Sequence, residues 1–363
     1  MISLRTARHS ALSLALVACA FLSSGGALAL TVDEVANYTG SDRQKILEEG
    51  AKKEGELLWI GGLNEQTATR PILKLFMEKY PYIAAKSIRT SSAAGLQRIL
   101  AEYRGKTPRV DLFNGNAVLD LKNAGLAQTI RSPLLEQYPP AFRDPERMYA
   151  TVRYTYHGIV AWNTNLVSSA EAPKTFDDLL DPKWRSKIVA SNSYETGLPF
   201  LVTYMRETMG DKKAAEYLEK LAKQEIRISG ESIRALLDLV VAGENHMLIN
   251  AGLHHVGQVK AQGAPVEASM ANPVLARNDY VMILTTAPHP HATMLLIDML
   301  LDIPAQTILK NAEFYPAHPG VDALPSMQQY TPRAKGYSQF TVDDKILFND
   351  AAESNAMFTR LFQ

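Results

Sequence analysis

Residues 56–76 read ELLWIGGLNEQTATRPILKLF. The apolar run 56–60 has strand character and is stopped by Gly61 and Gly62. A polar loop follows. Pro71 then stands where a first helical turn tolerates proline, ahead of Ile72, Leu75 and Phe76 on one helical face. Strand, glycine turn, polar loop and helix make one unit of an α/β chain.

The pattern repeats outward from this stretch. Residues 41–54 predict a charged amphipathic helix before it. After it, 82–89 predicts a strand, and Leu96, Ile99, Leu100 and Tyr103 fall on one helical face. Residues 109–113 predict a strand, Val118, Leu119 and Leu121 begin a helix, and Gly125 suits a left-handed cap. Further strands are expected at 158–162, 187–190, 246–250 and 280–284. Helices are expected at 199–209, 212–223, 292–302 and 305–311. Ser232 caps another, which presents Ile233, Leu236, Leu237 and Val240 and closes at Gly243. The alternation predicts α/β architecture with mostly parallel sheets.

In such sheets ligands collect beyond the carboxyl ends of strands, where loops open helices. Loops 62–67, 90–93, 114–116, 191–197, 229–232 and 250–255 fall at such points and are rich in Ser, Thr, Asn and Gly. Short hydroxyls and amides near positive helix ends can hold an anionic group. Capping of the helices is the competing use for each residue taken singly. Six such loops at equivalent places argue for a cleft.

The first residues set the expected compartment. Arg5, Arg8 and His9 precede an apolar run, 11–22, and small residues stand at Ala27 and Ala29. Basic, apolar, small is the order of a secretory signal peptide, with cleavage expected after Ala29. The run is shorter than the roughly 20 residues a spanning helix needs. Cys19, in LVAC (16–19), leaves lipidation as the alternative. Removing 1–29 leaves 334 residues, which suggests two domains, with no cysteine and hence no disulfide or thiolate chemistry. Those residues carry 36 basic and 38 acidic side chains, a net charge of −2 that offers nucleic acid no general attraction. No later apolar run reaches spanning length.

Chemical motifs are sparse. The chain has no G-x-S-x-G, no P-loop and no H-E-x-x-H. His254-His255 and His289-Pro-His291 invite a metal reading. Adjacent histidines diverge on a helix, however, and the second pair flanks a proline at a helix start, so no metal site, cofactor or catalytic residue is expected.

Six stretches carry a family resemblance: GLQRILAE (95–102), VDLF (110–113), WNTN (162–165), TFDDLLDPKW (175–184), APHP (287–290) and YPAHP (315–319). In this order and spacing the chain, from about Glu56 to Val321, resembles periplasmic solute-binding proteins of bacterial ABC transporters, of the ferric-iron-binding type. The resemblance implies a two-lobed type II binding-protein fold, each lobe a mostly parallel sheet flanked by helices. Lobe 1 would comprise 30–156 and 276–363, and lobe 2 would comprise 157–275. The lobes would be joined by a hinge and close over one ligand. It implies an exported, monomeric receptor that serves a permease in the inner membrane.

The resemblance also gives positions. Ferric-binding relatives use a histidine, a glutamate and a tyrosine pair. These fall on Asn64, Asn116, Gly252 and Leu253, which offer no anionic donor to a hard ferric ion. A one-residue slip would bring in Glu65. The family's anion pocket corresponds to Thr196-Gly197-Leu198, Asn250, Glu231 and Ser232, with its arginine near Tyr156. With Ser91, Ser92, Asn114, Ser193 and His254, these make the expected ligand-binding set. Tyr154, Tyr156 and Tyr194 would add flat apolar contact. The expected ligand is a small carboxylate, phosphorylated compound or zwitterion. A ferric ion or chelate, a receptor feeding a sensor kinase, and a periplasmic small-molecule hydrolase are the alternatives.

Overall fold

A computed structural model describes residues 30–342 and 344–363. The expected signal peptide and Cys19 lie outside the described residues.

Among the described residues twelve strands form two sheets. The first is built from β1 (Glu56–Gly61), β2 (Ala84–Arg89), β3 (Leu112–Asn114), β4 (Ala150–His157), β10 (Val274–Ile283), β11 (Tyr315–Pro316) and β12 (Gln339–Thr341). Its order is β11-β4-β10-β3-β1-β2, and β12 adds to the start of β10. The second is built from β5 (Val160–Asn163), β6 (Ile188–Ser191), β7 (Arg227–Ser229), β8 (Met247–Ile249) and β9 (Val266–Ser269), in the order β7-β6-β8-β5-β9.

Each sheet is apolar on both faces because helices cover both. Along β1 and β3, Trp59 and Leu112 enter one core while Ile60 and Phe113 enter the opposite one. In the second sheet Ile188, Val160 and Met247 face one core, and Val189, Ala161 and Leu248 the other. This is the period of two that a doubly covered sheet requires. The helix Pro290–Leu301 is buried almost all round, with Met294, Leu295, Leu296 and Ile297 in the first core. Its amino end is held by two carboxylates. Glu54 accepts from the His291 and Ala292 amides at 3.1 and 2.8 Å, and Asp111 from the His289 amide at 2.7 Å. The imidazoles of His289 and His291 bond to the same two acids, at 3.0 and 2.6 Å. The His-Pro-His stretch therefore anchors a helix.

Two expectations are corrected. The sheets are mixed: β1 runs parallel to β2 and β3, whereas β10 is antiparallel to both β3 and β4. Likewise β6 is parallel to β7 and β8, and β5 antiparallel to β8 and β9. In the first sheet the reversal comes with the long antiparallel pair β4–β10, and in the second with β5. Strand β4 itself, ATVRYTYH, lay in a stretch with no strand expected. The second correction concerns the carboxyl end, assigned to the first lobe. The helix Asp344–Phe362 packs on the helix Leu198–Met209 of the second sheet. Leu347 and Phe358 join that sheet's core. Arg206, nearly buried, reaches Asp350 at 2.9 Å, Asp211 at 2.8 Å and Glu353 at 2.5 Å.

Candidate functional site

The loops after β1, β2 and β3 and those after β6, β7 and β8 border one space of about 800 Å³ between the two sheets, floored by β4 and β10. It is the cleft the loop composition pointed to. Asn64, Ser91, Ser92, Asn114 and Asn116 line it from the first sheet, and Ser193, Thr196, Glu231, Ser232 and His254 from the second. A groove of about 1000 Å³ elsewhere, beside Arg43, Ile130 and Met299, involves first-sheet elements only and gathers none of the expected residues.

Many of these polar groups are already used within the protein. Ser91 and Ser232 cap the helices Ser92–Arg104 and Ile233–Ala242, accepting from Ala94 and Ala235 amides at 3.2 Å each. Asn64 accepts from the Gln66 and Thr67 amides at 3.0 and 3.1 Å. Ser92 Oγ accepts from the Asn116 amide at 3.2 Å. Capping, the competing use, accounts for much of the loop composition.

Four expected residues stand outside the cleft lining. Glu65 turns to Arg70, with 3.1 Å between Nε and Oε1. Asn250 is wholly buried with a left-handed backbone, φ 54°. Its amide donates to the Thr196 and Gly197 carbonyl oxygens at 2.8 and 2.9 Å, so it holds the loop behind the site. Gly197 packs so tightly that a Cβ there would strike the Ser191 and Ser193 carbonyl oxygens. Tyr156 faces the other side of β4, where it donates to Gln339 at 3.2 Å and packs on Tyr154 and Tyr315. Tyr154 is stacked between Phe142 and Tyr315, and Tyr194 donates to the Leu347 carbonyl oxygen at 2.5 Å. These tyrosines pack; none lines the cleft.

Strand alternation explains the Tyr156 error. With Tyr154 and Tyr156 turned away, Arg153, Thr155 and His157 face the ligand space. Opposite them on β10, Arg277 pairs with Thr155 and Asp279 with Arg153. Positive charge comes from elsewhere than Tyr156, the position the resemblance gave for the pocket arginine: Arg89, Arg153, Arg234 and Arg277 all border the cleft. Arg277 is buried and links the two sides. Its Nη1 donates to the Glu195 carbonyl oxygen at 2.7 Å, and Nη2 lies 3.6 Å from the Glu195 carboxylate. With the Asn116 amide oriented by its neighbours, its oxygen accepts from the same guanidinium.

Arg153 is the most exacting group in the cleft. Its Nη2 meets Asp279 at 2.5 Å, and its guanidinium carbon lies 4.4 Å from the Phe314 ring centroid. Asp279 is steadied in turn by the Asn114 amide at 2.9 Å. Arg153 Nε and Nη1 are buried and meet no partner among the described residues. A buried N–H without an acceptor costs about 1–3 kcal/mol, more when charged. The arrangement accordingly favours an incoming acceptor.

Beside Arg153 stand His157, His254 and His255. Burial pushes His157 and His255 down to about 4 and His254 well below the usual imidazole value, so all three are neutral at pH 7. His254 and His255 do not diverge as expected: in the first turn of the helix Leu253–Ala261 their rings approach to 3.8 Å between centroids. Among the described residues no three His, Cys, Asp or Glu side chains form a group able to hold a metal. Leu253, at one expected tyrosine position, is buried in the core. Of the missed residues, Arg153 and His157 carried one signal, the alternation Arg-Tyr-Thr-Tyr-His at 153–157, and Arg277 on β10 carried none of that kind.

Similar proteins share this architecture. Iron-bound HitA from Pseudomonas aeruginosa is 18% identical, with a TM-score of 0.72 over 85% of this chain and 99% of that one. AfuA from Actinobacillus pleuropneumoniae, with fructose-6-phosphate bound, is 21% identical, with a TM-score of 0.71 over 85% and 98%. Iron uptake protein A1 of Synechocystis sp. is 22% identical over 221 residues, 57% of this chain and 60% of that relative. The match to this relative thus leaves two fifths of its length uncovered. The family model described as bacterial extracellular solute-binding protein matches residues 107–339, and the chain belongs to that family.

Proposed function

We propose that this protein is the periplasmic receptor of an ABC importer and that it captures a small organic anion in the cleft between its two sheets. Family membership supports the transport role. The observation that carries the ligand class is Arg153, whose Nε and Nη1 are buried without a partner among the described residues. A carboxylate or phosphoryl oxygen is the natural acceptor for such a donor pair. Ser193 and Thr196, at the opening of the helix Leu198–Met209, give a second polar wall. The strands β4 and β10 serve as the hinge about which the lobes close, and the receptor turns nothing over.

Iron-handling relatives keep a ferric chelate as the rival cargo. The donors at the corresponding positions weigh against a bare ferric ion: Asn64 is spent on a cap, Asn116 is tied to Arg277, and Leu253 is core.

Thermal-shift and calorimetric titration against organic acids, sugar phosphates, phosphonates and ferric chelates tests the reading. A ligand at 100 times its Kd stabilises by about 2.7 kcal/mol, which a melting curve resolves readily. At least one small organic anion should do so, and Arg153→Gln should weaken it about tenfold or more. Tight ferric binding with a charge-transfer colour, or substrate turnover without a thermal shift, would refute the proposal.

A further inference from the structure

We infer that the anion is hydroxylated, a polyol phosphate or hydroxy acid, and that His157 and His255 read its hydroxyl groups as hydrogen-bond acceptors. This rests on the receptor reading above and narrows its ligand.

The tautomers of these two rings fix their polarity. His157 borders the cleft and is 3% exposed. Its Nδ1 lies 3.3 Å from the Asn250 carbonyl oxygen. A carbonyl oxygen only accepts, so Nδ1 carries the hydrogen and Nε2 is left as a lone pair. That Nε2 is buried and meets no partner among the described residues. His255 has the same polarity for an independent reason. Its Nδ1 lies 3.2 Å from Gln258 Oε1. The Gln258 amide is oriented by two other bonds: Oε1 accepts from Arg234 at 3.3 Å, and Nε2 donates to the Glu313 carbonyl oxygen at 3.4 Å. His255 Nδ1 must therefore donate, and its Nε2 is again the acceptor. Burial disfavours protonation of both rings, and so do Arg277 at His157 and Arg234 and Arg153 at His255.

The hinge side of the cleft thus presents charged donors beside neutral acceptors. A carboxylate or phosphoryl oxygen placed on the imidazole acceptors would face lone pair to lone pair. Placed on Arg153 it meets N–H groups, and the ring nitrogens remain for O–H donors on the same molecule. An alkyl anion would leave them unsatisfied, a difference that polar sites turn into strong discrimination. A divalent cation could use imidazole lone pairs, but three arginines stand around them.

The test compares matched probes on the full secreted chain: fructose 6-phosphate with hexyl phosphate, glycerol 3-phosphate with propyl phosphate, and gluconate with hexanoate. In at least one pair the hydroxylated member should bind tenfold or more tightly than its alkyl partner. His157→Phe should erase that ratio, and His157→Gln, which keeps an acceptor, should retain most of it. Should His157→Phe not fold, His255→Leu supplies the same comparison. Equal binding within every pair overturns the inference and leaves the receptor reading standing. Zn²⁺ or Ni²⁺ binding that is abolished by His157→Phe also overturns it. Binding of no anion at all removes both.

Discussion

Substituting His157 tests the energetics of the cleft without any ligand. Burial lowers this imidazole to about 4, against about 6.5 in an unfolded chain. Between those values the unfolded chain binds the extra proton, so folding stability must fall as pH falls. The gap of about 2.5 pH units corresponds to roughly 3 kcal/mol once both states are protonated. At pH 5, still above the folded value, about 2 kcal/mol of this is lost relative to pH 7.5. His157→Gln cannot titrate and keeps a donor for the Asn250 carbonyl oxygen. Urea unfolding of ligand-free protein at pH 7.5 and pH 5.0 gives each protein's loss between the two conditions. The parent should lose about 2 kcal/mol more than the variant, because the carboxylate contributions common to both cancel. Equal losses would mean that His157 is not buried neutral and that its Nε2 is not a free acceptor.

Two further outcomes follow from buried charges. Arg206→Met should destabilise by about 3 kcal/mol, because it leaves the half-buried Asp350 without its cation. Limited proteolysis should then release the carboxyl-terminal helix before the rest of the chain is cut. Asp111 is fully buried and accepts from the Leu58 and His289 amides and the His289 ring. Asp111→Asn should cost about 2–4 kcal/mol in urea unfolding. Its bond to Asp111 raises the His289 pKa. That ion pair contributes fully below about pH 6.5 and is lost as pH rises through the raised value. The measured cost should therefore be larger at pH 6 than at pH 9.

Much of the fold was legible because it is written locally. Strand β1 ends at its glycines, Pro71 sits in the first turn of its helix, and Ser91, Ser232 and Gly243 cap where their residue types predict. Ten of the fourteen expected site residues line the cleft, because loops that follow parallel strands share one edge whatever their contents. What escaped depended on pairing between distant segments. The direction of β10 and the placement of the last helix are set by contacts across more than a hundred residues, and no local period records them.

The sequence by itself determined the α/β class and the cleft-forming loops, and its resemblance to ferric-binding proteins set Asn64, Asn116, Gly252 and Leu253 at the positions expected of their iron donors. Only the tertiary structure decided which side chains face the cleft. On β4 a single position separates the packed Tyr156 from the cleft-facing Thr155 and His157, because successive side chains in a strand point to opposite faces. Register against β10 then brought Asp279 to Arg153 and Arg277 into the gap between Asn116 and Glu195. That cross-strand register, set by packing on both faces of the first sheet, turned a run of polar loops into a site with a definite charge and polarity.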